Sequence, residues 1–379
     1  LLINYYHRIF GLDVLRASAI LLVLFSHSSL LLFPNTTHIL LTIIQFFGAI
    51  GVDLFFVLSG YLIGGILIKQ IEKGHTSYSH LFYFLLRRWF RTIPNYFLIL
   101  ILNIILVGIL NGETIQGIGD YFLFLQNFSS PHPDFFTEAW SLSIEEYAYI
   151  FGPLILYILL QFFRNENALK AYMITVMIVI VLISLARIDF HLSHGVMSNK
   201  DWSHALRKVV IYRIDSIYYG FIMALCYKKY QDFIKRHRFL FLSIGVIVFV
   251  SMHALIFMLD MLPSNTPLFY NLFYLPLVSV SLLFLFPVFI NWQTGKRFRN
   301  TITKISVWSY GLYLVNYSLV LLPLQTFIDV ALQPWYGKIG VVLSFWALAF
   351  LLARLLYKYY EKPLMNLRDL PALKAMLNR

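Results

Sequence analysis

Apolar residues run through this chain in long stretches separated by short polar connections. A helix needs about 20 apolar residues to cross a hydrocarbon core. Ten stretches qualify as spans: 12–33, 46–68, 93–110, 144–163, 171–186, 209–227, 239–259, 268–290, 306–326 and 339–357. The run at 121–128 is too short to span. It sits in the longest polar connection, 111–143, which predicts a re-entrant or interfacial segment. The pattern predicts an all-α polytopic membrane protein with about ten transmembrane helices in one bundle over 1–368, then a short basic tail at 369–379. No internal repeat, low-complexity tract or soluble domain is evident.

Composition agrees. Of the 379 residues, 59% are hydrophobic and 13% charged, with mean hydropathy +0.73. Soluble domains carry about 25% charged residues, so an ordinary soluble protein and a disordered one are both excluded. The net charge of +12 would suit nucleic acid, but basic cytoplasmic loops explain it more simply. Loops 69–92, 164–170, 228–238 and 291–305 and the C-terminal segment together carry 21 Lys and Arg, while the alternate loops carry 5. That asymmetry predicts both termini in the cytoplasm. Loop 187–208 is the exception, with four Lys or Arg on the side expected to lack them. The lone cysteine, Cys226, excludes a disulfide framework and a cysteine-rich metal site. The sequence opens on Leu1, which suggests that a few residues precede it, and no cleavable signal peptide is read at its start. Nothing in it speaks to oligomeric state.

Charges at membrane depth cost about 2.5–3.5 kcal/mol on insertion scales and are functional candidates by default. They are Arg16, His27, Asp53, Glu145, Glu146, Arg213 and Asp215. Arg16 and His27 lie on nearly one helical face, about 16 Å apart along the axis. A snorkelling Arg and a hydrogen-bonded core His are the bland alternative. With alternating spans, His27 shares the outer half of the bundle with Asp53, Glu145, Glu146, Arg213 and Asp215. A His near carboxylates is a general acid/base arrangement. Glu146 also fits a capping box with Ser143 as N-cap. Arg213 and Asp215 also fit a structural ion pair, but residues two apart face apart on a helix, so their partners are expected on other spans.

Arg87, Arg88 and Arg91 precede the third span in LLRRWFRTIP, with Trp89 among them. Forked guanidinium bonds suit phosphate; positive-inside anchoring explains the same residues. No phosphate-cradling Gly loop, HExxH or GxSxG motif occurs. GVDLFFVLSGYLIGG reads as a close-packing surface.

Several of these segments resemble, in order, motifs of the acyltransferase family 3 membrane proteins, which O-acylate sugars. They are GLDVLRASAILLVLFSH with Arg16 and His27, GVDLFFVLSGYLI, RRWFRTIP with Arg88 and Arg91, WSLSIEEYAYIFGP, YRIDSIYYGFIMA, SYGLYLVNYSLV and YYEKPLMNLR. The resemblance runs from Gly11 to Arg368. It implies a bundle of about ten spans in a bacterial inner membrane. It also implies an acyl-CoA donor, commonly acetyl-CoA, and a sugar or polysaccharide acceptor such as lipopolysaccharide O-antigen. His27 would be essential for catalysis, with Glu145, Glu146 or Asp53 orienting or deprotonating it. Arg16, Arg88 and Arg91 would bind the donor. Arg213, Asp215 and Asn316 are expected to position substrate; many members have His at the place of Asn316. His27 would act as a general base in direct transfer or be acylated first. No metal is needed in either route. The sequence ends soon after the tenth span, so transfer is expected to be completed by the membrane domain or a partner. The competing reading is a glycan or lipid exporter, with Asp53, Glu145 and Arg213 along a pathway, although no inverted repeat supports it.

Overall fold

The computed structural model describes residues 8–36, 38–111, 115–163, 167–293 and 298–367. Every regular element among them is helical. In chain order these are α1 (Phe10–Leu32), α2 (Ile39–Glu72), α3 (Tyr78–Asn111), α4 (Ile118–Phe122), α5 (Ala139–Phe162), α6 (Ala168–Ser193), α7 (Asn199–Trp202) and α8 (Asp215–Lys229). There follow α9 (Gln231–Arg236), α10 (Arg238–Met258), α11 (Leu275–Leu283), α12 (Phe286–Ile290), α13 (Arg299–Val315), α14 (Leu322–Phe327), α15 (Trp335–Leu356) and α16 (Lys362–Leu367). The expected tail at 369–379, and Arg368, lie outside the described residues.

Nine helical stretches among the described residues are long and apolar enough to cross a membrane. The span expected at 209–227 differs. Its helix, α8, has 15 residues, about 22 Å, which is short of a hydrocarbon core of about 30 Å. The reason is polar. The chain enters α8 through a 3-10 turn, Val210–Tyr212, and buries Arg213 and Asp215 where that turn meets the helix.

α8 runs parallel to α2. Arg213 pairs with Asp53 at one end, and Lys228 meets Glu72 at 2.7 Å at the other. Between these points the backbones touch at glycines. A Cβ on Gly60 would stand 1.8 Å from the Ile217 carbonyl oxygen, and one on Gly220 would stand 2.2 Å from that of Val57. Small residues permit such approaches where helices pack without a hydrophobic drive between them. This bears out the packing role expected for the Gly-rich second span.

α1 is held between α2 and α13. Buried Asp13 accepts from Ser306 Oγ at 2.8 Å, from Thr303 Oγ1 at 3.3 Å and from Arg8. That set fixes the register of α1 against α13, and so the depths of Arg16 and His27.

The 115–138 connection does not cross the bundle. After α4 it turns back at Phe124 and Phe136, which have φ of 58° and 47°. Both rings stack on Tyr96, with centroids 4.4 and 5.5 Å away. Asn127 Nδ2 then donates to the Trp140 carbonyl at 3.0 Å and the Lys208 carbonyl at 2.6 Å. One amide thus pins the connection to the start of α5 and to the segment before α8.

Candidate active site

Two polar regions lie along α1. The first is a cavity lined by Arg16 (α1), Ser59 (α2), Arg88 and Arg91 (α3), Glu145 (α5) and Tyr310 (α13), among others. Arg88 Nη2 meets Glu145 Oε1 at 3.3 Å, and its guanidinium lies 4.3 Å from the Tyr149 ring centre. Glu145 also accepts from Ser59 Oγ at 2.9 Å and from the Tyr149 hydroxyl. Glu146 turns away and accepts from Thr92 Oγ1 at 2.6 Å. Arg16 and Arg91 form no ion pair among the described residues. The cavity therefore carries three guanidiniums and one ion-paired carboxylate. A positive excess in a low-dielectric wall favours an anionic ligand.

The second region is around His27, about 16 Å further along α1. Its partner is Asn316 at the head of a π-helical turn, Asn316–Leu321. Asn316 is fully buried. Its amide nitrogen donates to the Leu312 carbonyl at 2.8 Å and the Tyr313 carbonyl at 2.9 Å. Those two acceptors fix the amide orientation, so Oδ1 faces the imidazole. An amide oxygen only accepts. Neutral His27 therefore carries its proton on Nδ1, donates it to Asn316, and leaves Nε2 with a free lone pair. The Tyr317 ring, 5.1 Å from the imidazole centre, packs beside it.

The same turn holds a carboxylate that sequence reasoning missed. Glu138 is 5% exposed. One of its oxygens accepts from the Ser318 backbone amide at 3.3 Å and from Ser318 Oγ, while Oε2 has no partner. Tyr313 OH lies 2.7 Å from Ser141 Oγ and donates to the Glu138 carbonyl at 3.3 Å. Ser141 and Tyr313 also line the arginine cavity. A chain of polar contacts therefore runs from the cavity to the turn that holds His27.

The carboxylate contact expected for His27 is not formed: an amide takes that place, and Glu145 and Glu146 belong to the α3 side. The capping box is also corrected. α5 begins at Ala139, so Ser143 lies inside the helix, where its hydroxyl accepts from Gln126 Nε2 at 2.7 Å. Arg213 and Asp215 face apart as expected and pair with different helices: Arg213 with Asp53 on α2, and Asp215 with Arg187 on α6. Asp53 is thus engaged in an ion pair and not beside the imidazole. Asn316 has its amide spent within its own helix and its oxygen on His27. Among the described residues, no cluster of three His, Cys, Asp or Glu is placed to hold a metal.

A helical bundle with a cationic cavity near one end of α1 and an oriented histidine further along it fits a membrane acyl-transfer protein, and sequence comparison gives the family. The acyltransferase domain family matches residues 9–357, and the chain belongs to it. The peptidoglycan O-acetyltransferase OatA of Listeria monocytogenes serovar 1/2a is 33% identical over 139 residues, which is 32% of this chain and 22% of that protein. A putative peptidoglycan O-acetyltransferase of Bacillus subtilis, YrhL, is 32% identical over 184 residues, 44% of this chain and 26% of that protein. A putative O-acetyltransferase of Staphylococcus aureus strain COL is 27% identical over 375 residues, 93% of this chain and 56% of that protein. The chain spans little more than half the length of these relatives at most. No solved structure matches it.

Proposed function

We propose that the protein is an integral membrane O-acetyltransferase that moves an acetyl group from acetyl-CoA to a hydroxyl of a cell-surface glycan. The observation that carries the reading is the cavity charge. Arg16, Arg88 and Arg91 converge with only Glu145 ion-paired among them. The phosphates of a CoA thioester supply the missing negative charge, and guanidiniums grip phosphate through forked bonds. The pantetheine arm then reaches along α1 towards His27, a path of about 16 Å.

The donor enters at the arginine end, which faces the cytoplasm of a bacterial inner membrane in this proposal; the loop charges support that orientation. His27 Nε2 takes the proton of the acceptor hydroxyl as its oxygen attacks the thioester carbon. The carbon–sulfur bond breaks, and the imidazolium returns the proton to the departing thiolate. Ester and thiol are the products, with no redox change and no metal. Direct transfer is the route proposed here, with the free Nε2 lone pair as the base. The names of two relatives favour a peptidoglycan-type acceptor over the O-antigen sugar expected from the sequence.

The test uses the purified full chain in lipid nanodiscs with acetyl-CoA and glycan fragments. Thiol release coupled to ester formation on the glycan is expected. His27→Ala abolishes it in protein that still inserts. Arg91→Gln raises the KM for acetyl-CoA at least tenfold with a smaller change in kcat. Glycan acetylation at the wild-type rate by His27→Ala protein would refute the assignment.

A further inference from the structure

Loop 187–208 carries four Lys or Arg on the side of the chain otherwise poor in them. The structure accounts for two. Arg187 pairs with Asp215 and donates to the Tyr212 carbonyl at 2.8 Å, and Lys200 is exposed. Arg207 and Lys208 have no such explanation.

Lys208 is only 9% exposed and forms no ion pair; its ammonium lies 3.5 Å from His204 Nε2. Arg207 lies 5.0 Å from the Trp140 ring centre and donates to Ser203 Oγ at 2.9 Å, also without an ion pair among the described residues. Beside them His132 is 3% exposed, and neither ring nitrogen has a side-chain partner. Exposed Asp134 and Lys200 form the rim of this cluster. The cluster therefore holds a buried ammonium and a buried imidazole, with a guanidinium alongside.

A buried cation without an ion-pair partner is unfavourable even with the exposed Asp134 carboxylate nearby, and buried polar groups favour hydrogen-bond partners. Basic residues also run against the charge pattern of the loops on this side. All three anomalies meet at one point, and one anion would relieve them together. Burial holds the His132 imidazole neutral, down to about 3, with the Lys208 charge adding to the effect. One of its ring nitrogens is then a donor. Burial, then Arg207, pushes the Lys208 ammonium down to about 8, so it stays charged at neutral pH.

The cluster is coupled to the site already described. Asn127 ties the Lys208 carbonyl to that of Trp140. Trp140 stands between Glu138, which holds the π-helical turn, and Ser141, which lines the cavity. We infer that His132, His204, Arg207 and Lys208 form a subsite for an anionic group, carboxylate or phosphate, of the acceptor glycan. The inference rests on the proposal that a glycan is the acceptor. The anion is anchored at these side chains while a hydroxyl of the same glycan is presented to His27, so the enzyme selects acidic glycans over neutral ones of equal size.

Binding tests this apart from chemistry. Chitotetraose, a glucuronate-containing tetrasaccharide and a glycerol-phosphate tetramer are titrated calorimetrically into the full chain in nanodiscs without acetyl-CoA. At least one anionic oligomer is expected to bind tenfold or more tighter than chitotetraose, and the stronger of the two tells carboxylate from phosphodiester. Lys208→Met removes the difference, Lys208→Arg keeps it, and His204→Gln at the half-buried rim weakens it if Lys208→Met fails to fold. Equal affinity for all three oligomers, or an equal loss for all three in Lys208→Met, overturns the subsite. Acetyl transfer is measured separately on the same protein. Anion preference without transfer would leave the subsite standing and sink the acetyltransferase reading.

Discussion

Asn316 differs from a carboxylate partner in a way that has consequences. It fixes the tautomer of His27 through a hydrogen bond without placing a negative charge beside it. Asn316→Leu keeps much of the volume but removes the acceptor; kcat is expected to fall roughly 10²-fold with little change in KM for either substrate. Asn316→Asp restores an acceptor and adds charge. It should recover most of the rate while moving the rising limb of the kcat–pH profile to higher pH, because the base must be neutral to work. An unmoved limb would show that 316 acts only through packing. Lys208 is predicted to report pH in the opposite sense. Above about 8 its ammonium discharges, while an acceptor carboxylate stays ionised, so anion affinity falls as pH rises. Of the groups around it, Arg207 keeps its charge, His132 is already neutral, Asp134 is a carboxylate, and His204 and Lys200 lie at the rim. Titrations at pH 7 and 9 check this. Arg16, His27 and Glu145 were legible in the sequence because each is a polar residue in an apolar run, and Arg88 and Arg91 because they cluster just before the third span. Their partners were not. Asn316 lies 289 positions from His27, and Glu138 was hidden because the fourth span was read from 144, which left its first turn in the loop.

At the scale of elements, the buried ion pairs are clamps. Asp53 and Arg213 join α2 to α8, and Asp215 and Arg187 join α8 to α6. Arg213 keeps two nitrogens without partners, and Asp215 one oxygen. Removing one member strands a buried charge, at a cost of roughly 3–5 kcal/mol. Asp53→Asn should therefore lower the thermal midpoint in detergent far more than the double variant Asp53→Leu with Arg213→Met, which removes both charges. A double variant as unstable as the single would show that the pair does more than fasten helices. Gly220→Val should fail to fold, since even a Cβ there would stand 2.2 Å from the Val57 carbonyl oxygen. Most of the long helices were legible from hydropathy alone, because length and apolarity are all that membrane insertion reads. The shortness of α8 was not. Residues 209–227 are apolar enough to look like a full span, and only burial of Arg213 and Asp215 beside the preceding turn shows where the helix begins.

At the scale of the molecule, the two polar regions are set at different depths along α1, and this gives the proposed reaction a direction. Arg16 is in the cavity with Arg88 and Arg91, which belong to the basic 69–92 stretch that runs into α3. His27 points the other way along the helix, towards the end where the 115–138 connection and the segment before α8 meet. A carrier that moved its substrate whole would need one site open to both faces in turn. A transferase that exchanges only an acyl group needs two entrances and one meeting point. The consequence is sidedness. In sealed vesicles of known orientation, acetyl-CoA should be consumed only when supplied to the face bearing the 69–92 loop, and ester should appear only on glycan supplied to the opposite face. Arg91→Gln should weaken the dependence on donor at the first face and leave acceptor affinity at the second within twofold. Lys208→Met should do the reverse for an acidic acceptor. Consumption of acetyl-CoA from both faces, or acetylated glycan on the donor side, would mean that the path along α1 does not separate the two substrates.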